Sequence, residues 1–212
     1  MKCMIRAVAA GLVLGALPLG VALSSAGATT ACSTSTGQAT CTTSATATIK
    51  AGTLTIEAPA ALSWADTLSG DNQNVSASLP VSVIDATGSG AGWKTEVAMT
   101  HLKTTTAGTL SATVTLNSSS STVASTTAPT ASCGTTSTCA LNVQTPAPSY
   151  PLTVPQPTTA TTLPTAVAFE TAKATTGMGT IKLPFDAWLH IKGNAKAGTF
   201  TGTVQVSVVS GP

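Results

Sequence analysis

Leu110-Ser111-Ala112-Thr113-Val114-Thr115-Leu116 decides the fold class. Leu110, Ala112, Val114 and Leu116 fall on one side of an extended chain, and Ser111, Thr113 and Thr115 fall on the other. A period of two with β-branched residues marks a strand with one dry and one wet face. The pattern repeats in both directions. Leu54 and Ile56 oppose Thr53, Thr55 and Glu57, and Leu79, Val81 and Val83 alternate with Pro80 and Ser82. Trp93, Val97 and Met99 share a face against Lys94 and Glu96. Ile181 and Leu183 flank Lys182, and Phe200, Val204, Val206 and Val208 alternate with Thr201, Thr203, Gln205 and Ser207. Residues 166–174 alone read as a short helix, and weakly, because Thr and Val disfavour one. Short, half-wet strands separated by Gly and Asn breaks predict an all-β chain, an antiparallel β-sandwich of Ig-like or jelly-roll-like type.

Residues 144–164 carry Pro146, Pro148, Pro151, Pro155, Pro157 and Pro164 among threonines. Such a stretch is an extended connection or an edge, because proline donates no ladder hydrogen bond. Residues 118–164 therefore read as a Pro/Thr-rich, disulfide-containing insertion in a single sandwich spanning 46–212. Too few strands follow it to close a sheet of their own. Residues 29–45 are small and polar, and read as a flexible N-terminal segment.

The first residues read as an export signal. Lys2 and Arg6 precede an apolar run, and Ala26 and Ala28 fit a small-residue cleavage site, so residues 1–28 are expected to be a cleaved signal peptide. The run is short for a membrane span and is broken by Gly11, Gly15, Pro18 and Gly20. No stable membrane insertion is expected after cleavage, and the destination is secreted or extracellular. Leu163-Pro164-Thr165-Ala166-Val167 does not fit a sortase signal, so any attachment to the cell wall is expected to be non-covalent.

Without the signal the chain has seven Lys, no Arg and seven carboxylates. A net charge near zero argues against nucleic acid as a partner, because many phosphates would need neutralising. It argues equally against a basic membrane-surface binder. Charged residues make up 8% of the chain, about a third of the usual share. Four cysteines remain: Cys32, Cys41, Cys133 and Cys139. An even count in an exported chain points to disulfides. Close spacing favours Cys32–Cys41 and Cys133–Cys139, although three connectivities stay open. Zinc fits poorly, because neither pair has two-residue spacing and no His lies nearby.

No catalytic motif is present, and neither a cofactor nor a metal is expected. His101 and His190 sit in no metal pattern, and the serines form no nucleophile elbow. Scattered carboxylates still permit a secreted hydrolase, because a glycosidase needs only two brought together by the fold. Asp71-Asn72-Gln73-Asn74 reads as a polar turn, and Asp85 as the cap of the glycine-rich turn that ends at Gly92. In Trp188-Leu189-His190-Ile191-Lys192, a strand places Trp188, His190 and Lys192 on one face. If the aliphatic pair faces the core, Trp188 and His190 are exposed together, as sugar-stacking residues are. The alternative is a Trp188 that closes the rim of the fold.

Two segments resemble the WxL domain of Gram-positive surface proteins, of an actinobacterial type. Asp85 to Gly92 matches that family's lead-in turn, and Trp93-Lys94-Thr95 follows, with Thr95 in place of the family's Leu. At the C-terminus, Phe200, Val204, Gln205, Val206, Val208 and Pro212 match its closing segment in register, with Val206 in place of the second Trp. Leu54-Ile56, Leu62-Ser63-Trp64 and Val81-Val83 fit its opening strands. The resemblance implies a sandwich displayed at the cell surface, with non-covalent binding to peptidoglycan, or association with other surface proteins. The function expected is thus a non-catalytic surface protein, with a carbohydrate-binding or adhesion module as the alternative. Trp93, Trp188, His190 and Phe200 are the candidate binding residues.

Overall fold

The computed structural model describes residues 45–104, 108–110, 112–135, 139–141, 147–157 and 162–211, with the backbone of 34–35 and 38–39. The expected signal peptide, Cys32 and Cys41 lie outside these residues. The chain divides into Met1–Thr48 and Ile49–Pro212. In the first, β1 (Thr34–Ser35) and β2 (Gln38–Ala39) form an antiparallel hairpin. In the second follow β3 (Leu54–Glu57), β4 (Gln73–Asp85), β5 (Trp93–Met99), β6 (Lys103–Thr104) and β7 (Gly108–Thr109). Then come β8 (Ala112–Ser118), β9 (Ser132–Cys133), β10 (Leu152–Thr153), β11 (Val167–Ala172), β12 (Gly179–Ile191) and β13 (Val204–Ser210). Among the described residues every regular element is a strand, and every pairing between strands is antiparallel.

One sheet has the order β10-β8-β12-β4-β3, with β9 also on β12; the other is β11-β5-β13. They face each other as a sandwich, the arrangement that buries one side of each sheet. The alternation read in the sequence does the sorting. On β12, Ile181, Leu183, Phe185, Ala187 and Leu189 are buried, while Lys182 between them is exposed. Leu79, Val81 and Val83 of β4 lie directly opposite Phe185, Leu183 and Ile181. From the other sheet come Trp93, Val97, Met99, Phe169 and Ala172. Phe169 meets Phe185 edge-on across the layers, with ring centroids 5.1 Å apart. Each such side chain contributes about 1.5–3 kcal/mol by leaving water.

β4 and β12 pair over thirteen residues, and Pro80 stands opposite Pro184 in the middle of that ladder. The Pro184 carbonyl accepts from the Ser119 amide at 2.9 Å, so its backbone polar groups point away from β4. The two prolines thus form a non-hydrogen-bonded pair, where neither missing N–H removes a bond between β4 and β12.

Within 166–174, where the sequence suggested a short helix, Val167–Ala172 form the strand β11. Pairing with β5 and burial of Phe169 override a weak local preference. Leu62-Ser63-Trp64 lies in a loop, where an opening strand was expected. Leu62 and Trp64 still pack on the core, and Trp64 Nε1 donates to the Ala187 carbonyl at 2.9 Å. Phe200 precedes the last strand, which begins at Val204. Part of the proline-rich stretch straps the sheets together at one edge. Val154 N donates to Val114 O at 2.8 Å on one sheet, and Met99 N donates to Pro155 O at 3.0 Å on the other.

Candidate functional site

The turn before Trp93 is built from the inside out. Asp85 is buried, and its Oδ1 accepts from the Thr87 amide at 3.0 Å and the Thr87 hydroxyl at 2.7 Å. Gly92 has φ +74°, and a Cβ there would lie 2.4 Å from the Ala172 carbonyl oxygen. Only glycine permits that approach. It lets β5 begin directly against the end of β11, with Trp93 opposite Ala172.

Trp93 is 0% exposed, and its Nε1 donates to the Gly177 carbonyl at 2.9 Å. The two segments matched in the sequence are neighbours here. Ser210 pairs with Trp93, and Gly211 N donates to Gly92 O at 3.0 Å. Val206 lies opposite Val97 and packs on the core. Thr95 is also 0% exposed, and its hydroxyl donates to the Glu170 carbonyl at 3.1 Å. Trp93 and Thr95 therefore act in the interior, and Val206 and Phe200 are half-buried against the same core. Trp93 thus offers no free aromatic face.

Trp188 and His190 occupy the outer face of the larger sheet, because Leu189 turns inward at 4% exposure. Trp188 is half-buried between Ser76 of β4 and Thr115 of β8. Its Nε1 is shielded from solvent and has no hydrogen-bond partner among the described residues. His190 Nδ1 lies 2.8 Å from Asn74 Oδ1, and Nε2 lies 2.9 Å from Thr115 Oγ1. With Nδ1–H donating to Asn74, the neutral ring accepts from the Thr115 hydroxyl at Nε2. Partial burial lowers the His190 pKa from its ordinary value, which favours this neutral form.

One feature escaped the sequence reading. A cavity of about 370 Å³ lies beside the Cys133–Cys139 disulfide, whose Cα atoms are 5.7 Å apart. Its described walls are apolar apart from Tyr150 and Glu170. Tyr150 OH donates to the Phe169 carbonyl. Glu170 is 3% exposed, and the Thr171 amide donates to its Oε1 at 3.0 Å. Burial pushes its pKa up to about 7, and the Thr171 amide offsets this only in part. Among the described residues the ion pair is Lys94–Glu96, at 2.9 Å, so no partner cation neutralises Glu170.

A β-bulge places Glu170 there. Val167 opposite Val97 and Ala168 opposite Glu96 would, continued regularly, bring Glu170 opposite Lys94 on the outer face. The register shifts at Phe169, and Glu170 lies opposite Thr95 and faces inward. Strict alternation in the sequence puts Phe169 and Glu170 on opposite faces, so nothing in the residue pattern signals the shift. Among the described residues no three His, Cys, Asp or Glu side chains gather as metal ligands would.

No curated protein and no solved structure matches the chain. A family described as WxL domain surface cell wall-binding matches residues 37–210. That span runs through the Asp85–Gly92 turn, Trp93 and β13, the elements that meet at Gly92 and Gly211. The chain belongs to the WxL family of surface cell wall-binding domains.

Proposed function

We propose that this chain is a secreted, non-catalytic surface module that holds peptidoglycan without a covalent link. Its membership of a cell wall-binding family over residues 37–210 is the observation that carries the reading. The burial of Trp93 and the packing of half-buried Val206 on the core support it. The place of the second motif tryptophan is taken by Val206, which is half-buried, packs on the core and lies opposite the buried Val97. Wall contact then belongs to the outward faces of the sheets. The cavity beside the disulfide presents one carboxyl group among its described walls, whereas the usual glycosidase uses a pair.

The test is retention of the purified protein on isolated cell walls, compared with a neutral control protein of similar size. Retention that survives high salt and is competed by soluble peptidoglycan fragments is expected. Retention no greater than the control would sink the reading.

A second reading rests on Trp188 and His190. Their place on the outer face, beside Asn74, Ser76 and Thr115, suits a glycan lying across the strands. Here Trp188→Ala is expected to weaken glycan binding while leaving the fold intact. Unchanged binding to a glycan panel would remove this face from consideration.

A further inference from the structure

The cavity beside the disulfide joins three features. Its floor includes Tyr150, Glu170 and Ile181, all buried, and its rim includes Ala128 and Cys133, both exposed. The cavity therefore extends from solvent-exposed residues to the buried Glu170. Its volume of about 370 Å³ falls in the range of small-molecule sites, which are mostly apolar with a few fixed polar groups. The polar group here is fixed by design of the backbone. The bulge turns Glu170 inward, and the Thr95 hydroxyl holds the Glu170 carbonyl in the shifted register.

We propose that this cavity binds an aliphatic primary amine, with the alkyl arm against the apolar walls and the ammonium group on Glu170. The charge argument selects the class. A buried carboxylate without a cation is costly, and a ligand that brings an ammonium group supplies both the charge and the hydrogen bonds. Tyr150 does not compete, because its hydroxyl is committed to the Phe169 carbonyl. Of the charged groups on neighbouring strands, Lys94 and Glu96 pair with each other on the far face of β5, and Lys182 is exposed on the outer face of β12. Among the described residues Tyr150 is thus the titratable group that faces Glu170 from the packed elements. An alcohol of the same length would fill the apolar space and leave the charge unmatched. A carboxylic acid would repel it.

Calorimetric titration of the purified chain with n-hexylamine tests this, with n-hexanol and hexanoate as controls. At about pH 8 hexylamine is expected to bind at least about tenfold more tightly than either control, and the preference is expected to fade at about pH 5.5, where Glu170 takes up its proton. Glu170→Gln is expected to abolish the preference and its pH dependence. Ala128→Trp, at an exposed rim position, is expected to block binding without touching the core. The proposal is overturned if hexylamine fails to bind, if it binds no better than hexanol, or if the folded Glu170→Gln protein keeps the amine preference. If Glu170→Gln does not fold, amine binding unaffected by Ala128→Trp overturns it instead.

Discussion

Trp93 Nε1 donates to the Gly177 carbonyl at 2.9 Å, and the Gly177 amide donates to the Ala140 carbonyl at 2.7 Å. A motif tryptophan, a tight turn and the residue after Cys139 are thus linked through one residue, Gly177. The link accounts for a tryptophan being needed where a phenylalanine would fill much the same space. Trp93→Phe leaves the buried Gly177 carbonyl without its donor and opens a small void. A loss of about 2–4 kcal/mol is expected in urea unfolding. Gly177→Ala attacks the same contact from the other side. Its φ is +79°, and an added Cβ would sit 2.6 Å from Trp93 Nε1, so a loss of similar size is expected.

The disulfide acts on the same turn. Cys133 lies in β9, which pairs with Ile181 and Lys182 of β12. Replacing Cys133 and Cys139 together by Ser should cost about 2–3 kcal/mol, as expected for a short closed loop. Hydrogen exchange should speed up first at Gly134 and Gly177, whose amides donate to Thr180 and Ala140. Uniform acceleration across both sheets would show that the loop is not locally coupled to the turn.

Glu170 makes stability depend on pH in an unusual direction. Its pKa rises from 4.5 to about 7 on folding, so between those values the folded chain holds a proton that the unfolded chain has lost. The contribution is fully present below about 4.5 and is lost as pH rises through about 7, a change of up to about 3 kcal/mol. Unfolding midpoints measured from pH 4 to pH 8 should fall over this window, and Glu170→Gln should flatten the fall.

His190 has the opposite sign. Burial lowers its pKa, so its contribution is present above the ordinary value of about 6.5 and is lost as pH falls through the lowered pKa. His190→Gln should remove the acid-side loss while leaving the Glu170 effect in place. NMR titration of the ring should give a pKa below the ordinary value, and Asn74→Ala should release the Nδ1 contact at 2.8 Å. A ring that titrates at the ordinary value would contradict the neutral, doubly bonded form.

The strands were legible because their faces differ. Leu183 and Phe185 must be dry while Lys182 is wet, and that contrast is written residue by residue. The inward turn of Leu189, and with it the outward face of Trp188 and His190, follows from the same rule. The Cys133–Cys139 bond was one of the pairings that spacing favoured. What alternation does not contain is a change of register. The bulge at Phe169 adds one residue, reverses the face of Glu170 and leaves composition untouched, so the cavity carboxyl was invisible. Trp93 was legible as a motif residue but not as a buried donor, because its acceptor lies 84 positions away.

Pro80 carries the last prediction. Because Pro80 and Pro184 form a non-hydrogen-bonded pair, the backbone of Pro80 points away from β12. β3 covers β4 only from Ser82 to Asp85, so among the described strands nothing pairs with β4 at Pro80 on that side. A proline here leaves no free donor on an open edge, one of the ways sheets resist pairing with other chains. Pro80→Val should change stability by less than about 1 kcal/mol, because no bond between β4 and β12 is gained. It should, however, expose an N–H beside valines of high strand propensity. Size-exclusion chromatography at rising protein concentration should then show dimers or larger species for Pro80→Val while the unaltered chain stays unchanged. Identical elution of the two proteins would mean that the edge is protected by something other than the proline.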